Sequence, residues 1–281
     1  MRIIRSPKQM SVISQKLKAN GYRIGLVPTM GALHQGHLSL IRKAVKENDK
    51  VMVSIFVNPI QFGPQEDFHR YPRDLKKDAL LCRKEKVDFI FYPNANQMYP
   101  QGVKTYINVR ELGDVLCGAS RPGHFQGVAT VVAKLFNIVA PDIAYFGQKD
   151  AQQAIIIQRM VKDLNMPVKI RVMPIVREDD GLAMSSRNQY LNQSERKEAV
   201  VLYKALNKAK ALVKQGIRDS QSIIKEIKSA IIKKKPTRID YISITDPDNL
   251  KPVARIKDKA LLALAVWFGR TRLIDNTILK V

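Results

Sequence analysis

Between Tyr22 and Gly147, short apolar runs alternate with stretches in which apolar residues return every three or four positions. The runs suit strands and the three-to-four spacing suits helices lying over them, so the alternation predicts a parallel sheet with crossover helices. YRIGLVP, VMVSIFV, VDFIFYP and IAYFG are the predicted strands, nearly continuous in apolar residues as strands buried on both faces are. HLSLIRKAVKE, LKKDALLCRKEK and VATVVAKLFNIVA are predicted helices, and TYINVREL is a further run of strand character. The helix AQQAIIIQRMVKDL and the strand KIRVMPIVR complete this half. Beyond DDGLAMSSRNQYLN the pattern changes to two lysine-rich helices and three β-like runs, RIDYISITD, KALLALAVWFG and TRLIDNTILKV, close enough in sequence to pair antiparallel. The chain is therefore expected to divide near Val176. Residues 1–176 would form an α/β domain on a parallel sheet and residues 177–281 a smaller α+β domain, with the glycine- and serine-bearing loop as hinge or shared site.

Composition narrows the field. No apolar run approaches the roughly 20 residues needed to span a bilayer, and MRIIRSPKQM lacks the apolar core of a signal peptide, so a cytoplasmic protein without membrane partners is expected. The two cysteines, Cys82 and Cys117, sit in no CxxC or Cys/His cluster, which leaves reduced, buried thiols rather than a disulfide framework or a zinc site. The formal charge of +23 is the outlier, and it collects toward the two ends of the chain. In KALNKAKALVKQGIRDSQSIIKEIKSAIIKKK the lysines fill the polar side of an apolar periodicity. A solvated helix face accounts for that; a nucleic-acid surface is the alternative, but no aromatic or arginine-rich reading motif accompanies it.

The candidate chemistry begins at PTMGALHQGH, Pro28 to His37, which follows a predicted strand and enters a predicted helix. In open α/β sheets ligands gather beyond the carboxyl ends of strands, and a helix N-terminus offers unpaired N–H groups to anionic oxygens. Gly31 and Gly36 permit close backbone approach. His34 and His37, three apart, share a side and can donate to charge building on a phosphoryl oxygen, or one or both can simply cap the turn. GxxxxGK[ST] and GxGxxG are both missing, which removes a P-loop and a dinucleotide fingerprint.

Other patches have the same placement. GQKD, Gly147 to Asp150, follows the run IAYF, and Lys149 there can neutralise phosphate charge as a point cation. MSSR, Met184 to Arg187, offers two hydroxyls and a guanidinium suited to a pyrophosphate, while Ser194 is expected to cap the next helix. Gln61 and Gln153 are neutral amides at strand ends that suit a hydroxylated small substrate. Arg121 is a candidate fork for carboxylate or phosphate, and His124 beside it is as readily structural. Asp78 is either a divalent-ion ligand or a solvated helix carboxylate among lysines.

PTMGALHQGH, NPIQFGPQEDFHRYPRD, RPGHFQGVATVVAKLFNIVAPDIAYFGQKDAQQ and DDGLAMSSRNQYLN, in that order, resemble the motifs of the pantoate–β-alanine ligase family, and the match runs through most of residues 20–195. That family is similar to class I aminoacyl-tRNA synthetases and other HxGH nucleotidyl transferases. The resemblance implies a Rossmann-like N-terminal domain, a smaller C-terminal lid domain and a homodimer. It also implies an ATP- and Mg²⁺-dependent reaction in which pantoate becomes pantoyl adenylate with release of pyrophosphate, and β-alanine then displaces AMP to give pantothenate. Carried onto this chain, Met30, Gly31, Ala32, Leu33, His34, Gln35, Gly36 and His37 would bind ATP, with both histidines stabilising the transition state and His37 donating a proton. Gly147, Gln148, Lys149, Asp150, Val176, Met184, Ser185, Ser186 and Arg187 would complete the nucleotide site, with Lys149 and Arg187 supplying catalytic positive charge. Gln61 and Gln153 would hold pantoate, Gln61 beside β-alanine as well. Where related synthetases carry a lysine-bearing KMSKS, position 183 here is alanine, which leaves the cationic duty to Lys149 or Arg187. Two other readings remain: a different HxGH adenylyl transferase, and a basic nucleic-acid-binding protein with a degenerate cleft.

Overall fold

A computed structural model describes residues 1–64 and 66–281. Strands β1 (Arg2–Ile4), β2 (Ile24–Thr29), β3 (Lys50–Ile55), β4 (Phe89–Phe91), β5 (Ile143–Gly147) and β6 (Lys169–Met173) pair in parallel in the order β1-β4-β3-β2-β5-β6. Helices α1 (Pro7–Ala19), α2 (Gln35–Glu47), α3 (Leu75–Lys84), the single turns α4 (Ala95–Met98) and α5 (Cys117–Ser120), α6 (His124–Val139) and α7 (Ala151–Asp163) connect them. The strands bury both faces because successive side chains go to different cores. Val27, Val51, Val53 and Ile55 pack with Leu38, Ile41 and Ala44 of α2, while Leu26 and Met52 pack with Met10 of α1, Val128 and Val132 of α6 and Ile156 of α7. This is the expected α/β sheet covered on both sides.

The run 105–112 forms loop and turn instead of the expected strand. Its Ile107 N–H donates to Thr130 Oγ1 of α6 at 2.9 Å, and Ile107 and Val109 lie against the first core, so the backbone finds partners without a ladder. At the N-terminus, β1 and α1 lie ahead of the alternation that begins at Tyr22. A three-residue strand shows no periodicity, although Ser6 capping Gln9 N–H and Pro7 in the first turn are ordinary start signals for α1.

The remainder builds a second unit around α8 (Gln193–Ala199), α9 (Val201–Lys214), α10 (Ser220–Ile232) and an antiparallel sheet β7 (Arg238–Thr245), β8 (Lys259–Phe268), β9 (Thr271–Lys280). Along β8 the alternation is strict: Leu262, Leu264 and Val266 face the core of α9 and α10, whereas Leu261 and Ala263 join the core of the first sheet. The cap of α8 is Asn192, whose side chain accepts from Glu195 N–H while Glu195 returns to Asn192 N–H, rather than Ser194. Cys82 and Cys117 are free and buried, as expected. Among the described residues no helix is long and apolar enough to cross a membrane.

Candidate active site

The strand order leaves β2 and β5 side by side with their connections departing to opposite edges, which makes the crevice beyond their carboxyl ends the topological switch point. PTMGALHQGH leaves β2 and GQKD leaves β5, so the two motifs meet there. A cavity of about 220 Å³ under this junction is lined by Met30, His34, Gly36, His37, Gln61, Arg121, Gly147, Lys149, Asp150, Gln153, Val176, Met184, Ser185, Ser186 and Arg187 among others. It shares Arg121, Lys149, Asp150, Gln153, Ser185 and Arg187 with a cleft of about 740 Å³ that reaches the three-stranded sheet. The larger cleft has the volume of an ordinary ligand site, but neither His34 nor His37 touches it; both line the smaller cavity.

Backbone geometry fixes how the histidines present themselves. His34 is the N-cap of α2: its Nδ1 accepts from Gly36 N–H at 3.1 Å, and His37 Nδ1 accepts from His34 N–H at 3.3 Å, a reciprocal capping box. An Nδ1 that accepts an N–H carries no proton, so each neutral ring holds its hydrogen on Nε2. The rings stand 4.1 Å apart, centroid to centroid. Burial, reinforced for His34 by Lys149 and for His37 by His34 and Lys149, lowers their pKa to about 4 and about 3. A Cβ on Gly36 would come within 2.8 Å of the His34 ring, so only glycine lets this N–H reach the imidazole. Capping uses Nδ1 and leaves Nε2–H for a ligand, so the two alternatives in the sequence do not exclude each other.

The motif's entry is held by Asp78 of α3. Its buried carboxylate accepts from Ala32 N–H at 3.0 Å and Leu33 N–H at 2.8 Å and stabilises Ala32 at φ 50°, a conformation costly for a residue with a Cβ. Both oxygens are thereby engaged, and among the described residues no group of three His, Cys, Asp or Glu is placed to hold a metal. Asp78 thus clamps the motif through both oxygens; the buried, desolvated carboxyl is raised above its usual range despite the two N–H donors.

Arg121 also departs from its expected role. Its guanidinium is closed by Glu66, with Nε and Nη2 each 2.6 Å from a carboxylate oxygen, and Nη1 donates to His124 Nε2 at 2.9 Å. His124 then donates Nδ1–H to Gln61 O at 2.8 Å, so Arg121 and His124 brace the turn that carries Gln61. Arg187 is forked onto Asp67, at 2.9 and 2.7 Å. Among the described residues Lys149 has only Asp150 as an ionic neighbour, at 3.9 Å.

The two amides differ in freedom. Gln61 is buried, its oxygen accepting from Asn58 Nδ2 at 3.0 Å and its nitrogen donating to Met30 Sδ at 3.3 Å, whereas Gln153 faces both cavities. Val176 O accepts from Met184 N–H, joining the last two nucleotide-site segments. Ser185 caps Arg187 N–H at 3.2 Å, and Ser186 Oγ meets Tyr71 Oη at 3.2 Å.

Besides Asp78, five residues of the expected set do not line the histidine cavity. Gly31 lines a separate cavity on the Asp78 side, Leu33 is core, and the N–H groups of Ala32 and Leu33 are spent on Asp78. Gln35 turns outward to accept from Arg42 Nη1 at 3.2 Å, and Gln148 faces Asn276 of β9. Sequence reasoning passed over Asn58, Glu66, Asp67, Tyr71 and Asn276. Asn276 Nδ2 donates to the carbonyls of Gln148 and Lys149 at 2.9 and 3.0 Å, so the second sheet fixes the GQKD turn. Asn58 and Asp67 lie inside NPIQFGPQEDF and were legible as polar residues at a strand end; Asn276, 127 positions beyond Lys149, carried no local signal.

A family model described as pantoate-beta-alanine ligase matches residues 2–278 of the chain. The chain belongs to the pantoate–β-alanine ligase family. The family's members are ligases that join pantoate to β-alanine through an amide C–N bond, and this chain is one of them. It is similar to the pantothenate synthetase of Caldicellulosiruptor saccharolyticus, 56% identical over 281 residues with all of both chains covered, and to that of a Sulfurihydrogenibium species, 57% identical over 98% of this chain and 99% of the relative. A crystal structure of pantothenate synthetase from Thermus thermophilus matches with a TM-score of 0.93 at 44% identity, covering 99% of each chain. The Francisella tularensis ligase complexed with beta-gamma ATP and beta-alanine matches at TM-score 0.83 and 38% identity, covering 99% of this chain and 97% of that one.

Proposed function

We propose that the ligation proceeds through pantoyl adenylate, formed at the cavity beneath the histidine motif. One observation supports this most directly: two neutral imidazoles locked as Nε2–H donors share that cavity with Lys149 and Arg187. A carboxylate is a poor acyl donor because its leaving group would be oxide. In the first step a pantoate carboxylate oxygen attacks the α-phosphorus of ATP and pyrophosphate leaves, so the protein must align the two and spread the charge developing on phosphoryl oxygens. Lys149 and Arg187 supply net charge, and the histidines supply hydrogen bonds. His37 acts here as a neutral donor, since a pKa of about 3 leaves it without the proton an acid would release. In the second step the free amine of β-alanine attacks the acyl carbon, the C–O bond to AMP breaks, and the amine proton passes to solvent.

Magnesium accompanies the nucleotide in this reading. A hard cation of this kind keeps water and phosphate oxygens as ligands, with one or two carboxylates; Asp150, which lines both cavities, is the carboxylate positioned to face it, and the ion would offset phosphate charge. We place the domain boundary at 176/177, with residues 177–281 as the lid. The homodimer and the cytoplasmic setting implied by the family are part of the same proposal, tested by light scattering and by fractionation.

The deciding experiment mixes the protein with ATP and pantoate alone. One equivalent of pyrophosphate should appear per site, and adding β-alanine should then release AMP and pantothenate. Pyrophosphate release that requires β-alanine would rule out the adenylate intermediate.

A further inference from the structure

We infer that Ser54 determines specificity for the acid substrate, its hydroxyl pairing with the terminal hydroxyl of pantoate at the apolar end of the smaller cavity; this rests on the proposed function above. Ser54 is the one polar residue within VMVSIFV, 1% exposed, and its Oγ is buried with no hydrogen-bond partner among the described residues. Its polar neighbours at the same strand ends are satisfied. Thr29 Oγ1 donates to Ser54 O and accepts from Gly31 N–H, and the Asn58 side chain engages Gln61, Gly127 O and Tyr99 Oη. A buried polar atom left unpaired is unfavourable, and alanine would remove the cost here, so a serine at this position calls for a partner that arrives from outside the chain.

The cavity indicates which partner. Ser54 lines it together with Pro28, Phe56, Val128, Val132 and Phe146, a set of apolar side chains. Adenylation requires the pantoate carboxylate to lie toward His34, His37 and Lys149, which sends the other end of the molecule toward the apolar chamber. There the two methyl groups meet valine side chains, and the hydroxymethyl group, which cannot be buried unpaired, meets Ser54. Gln61 already shares its oxygen with Asn58, whereas the Ser54 hydroxyl has no partner among the described residues.

Ser54→Ala should lower kcat/KM for pantoate by about five- to 150-fold, with KM for ATP and β-alanine unchanged. Because the orphan hydroxyl is removed, the thermal midpoint should stay level or rise. The wild type should disfavour the pantoate analogue that bears hydrogen in place of the terminal hydroxyl by a similar factor, and Ser54→Ala should treat the two acids alike. Undiminished kcat/KM for pantoate in Ser54→Ala would overturn the inference, as would discrimination that survives the substitution. A fall of several degrees with equal losses for both acids would also overturn it, by making the serine structural. A wild type that makes no pantothenate would instead sink the proposed function, and this inference with it.

Discussion

Taking the protein from pH 8 to pH 5 should leave both active-site imidazoles uncharged, because burial and the neighbouring Lys149 hold His34 near a pKa of about 4 and His37, beside His34 as well, near about 3. At pH 7 the charged form is then about one part in a thousand for His34 and one in ten thousand for His37, and at pH 5 His34 is still about nine-tenths neutral. Single-turnover adenylate formation, followed by rapid quench at saturating ATP, Mg²⁺ and pantoate, should therefore show no titration from either ring across this range. Nitrogen NMR of labelled histidine should show both rings as the Nε2–H form throughout. A rate profile with a midpoint between pH 6 and 7 that vanishes in His37→Asn, or ring nitrogens titrating near 6.5, would refute the hydrogen-bonding role. The same depression affects stability. The folded pKa lies below the unfolded value of about 6.5, so the unfolded chain binds protons first, and the contribution is complete above pH 6.5 and lost as pH falls toward 4. With His124 similarly lowered to about 3, chiefly by burial and then by Arg121, the three rings should together weaken the fold by several kcal/mol between pH 6.5 and pH 5. A urea midpoint independent of pH across that window would contradict this.

Four substitutions separate the remaining roles. Asp78→Asn sets an amide against an N–H of Ala32 or Leu33; it should cost about 1–3 kcal/mol, lower the thermal midpoint and slow adenylate formation without changing the Mg²⁺ dependence. A shifted Mg²⁺ midpoint at unchanged stability would restore the metal-ligand role. Gln152→Ala should destabilise by about 2–4 kcal/mol, since its amide holds Cys117 N–H and the carbonyls of Leu112 and Val115. Gln153→Ala should leave stability within about 0.5 kcal/mol and raise KM for pantoate, and a reversal of that contrast in calorimetry and kinetics would exchange their assignments. In Gly127→Ala a Cβ would stand 2.4 Å from Ile60 O and 2.8 Å from Gln61 Cα, so the turn carrying Gln61 must move. We expect at least a tenfold loss in kcat/KM for pantoate with nucleotide binding retained, measured by steady-state kinetics and calorimetric titration.

The parallel sheet and its switch-point cavity were legible because VMVSIFV and IAYFG are runs that only strands buried on both faces sustain, and because two polar motifs follow such runs directly. The second sheet was legible for the same reason, in three closely spaced β-like runs. What escaped was partnership. Nothing local distinguishes Arg121, closed by Glu66 at 2.6 Å, from Lys149, whose neighbour Asp150 stands off at 3.9 Å, since the sign of a side chain is visible in sequence and its counter-ion distance is not. Asp78 stood out in sequence but its two backbone partners did not, because an acid that accepts two backbone N–H groups and an acid awaiting a cation present the same letter. Gln148 and Gln35 fall inside contiguous motifs while their side chains point elsewhere.

Glu66 and Asp67, adjacent on one loop, each grip one of the cavity's two arginines. In the proposed reaction a polyphosphate would meet in Arg187 a guanidinium already stripped of much of its water, and one anion would take the place of another instead of a bare charge being newly desolvated. The exchange is reversible. Once pyrophosphate departs, Asp67 is at hand to reclaim Arg187, and a reactive acyl phosphate left inside would lie behind a re-formed ionic seam that favours the incoming amine over bulk water.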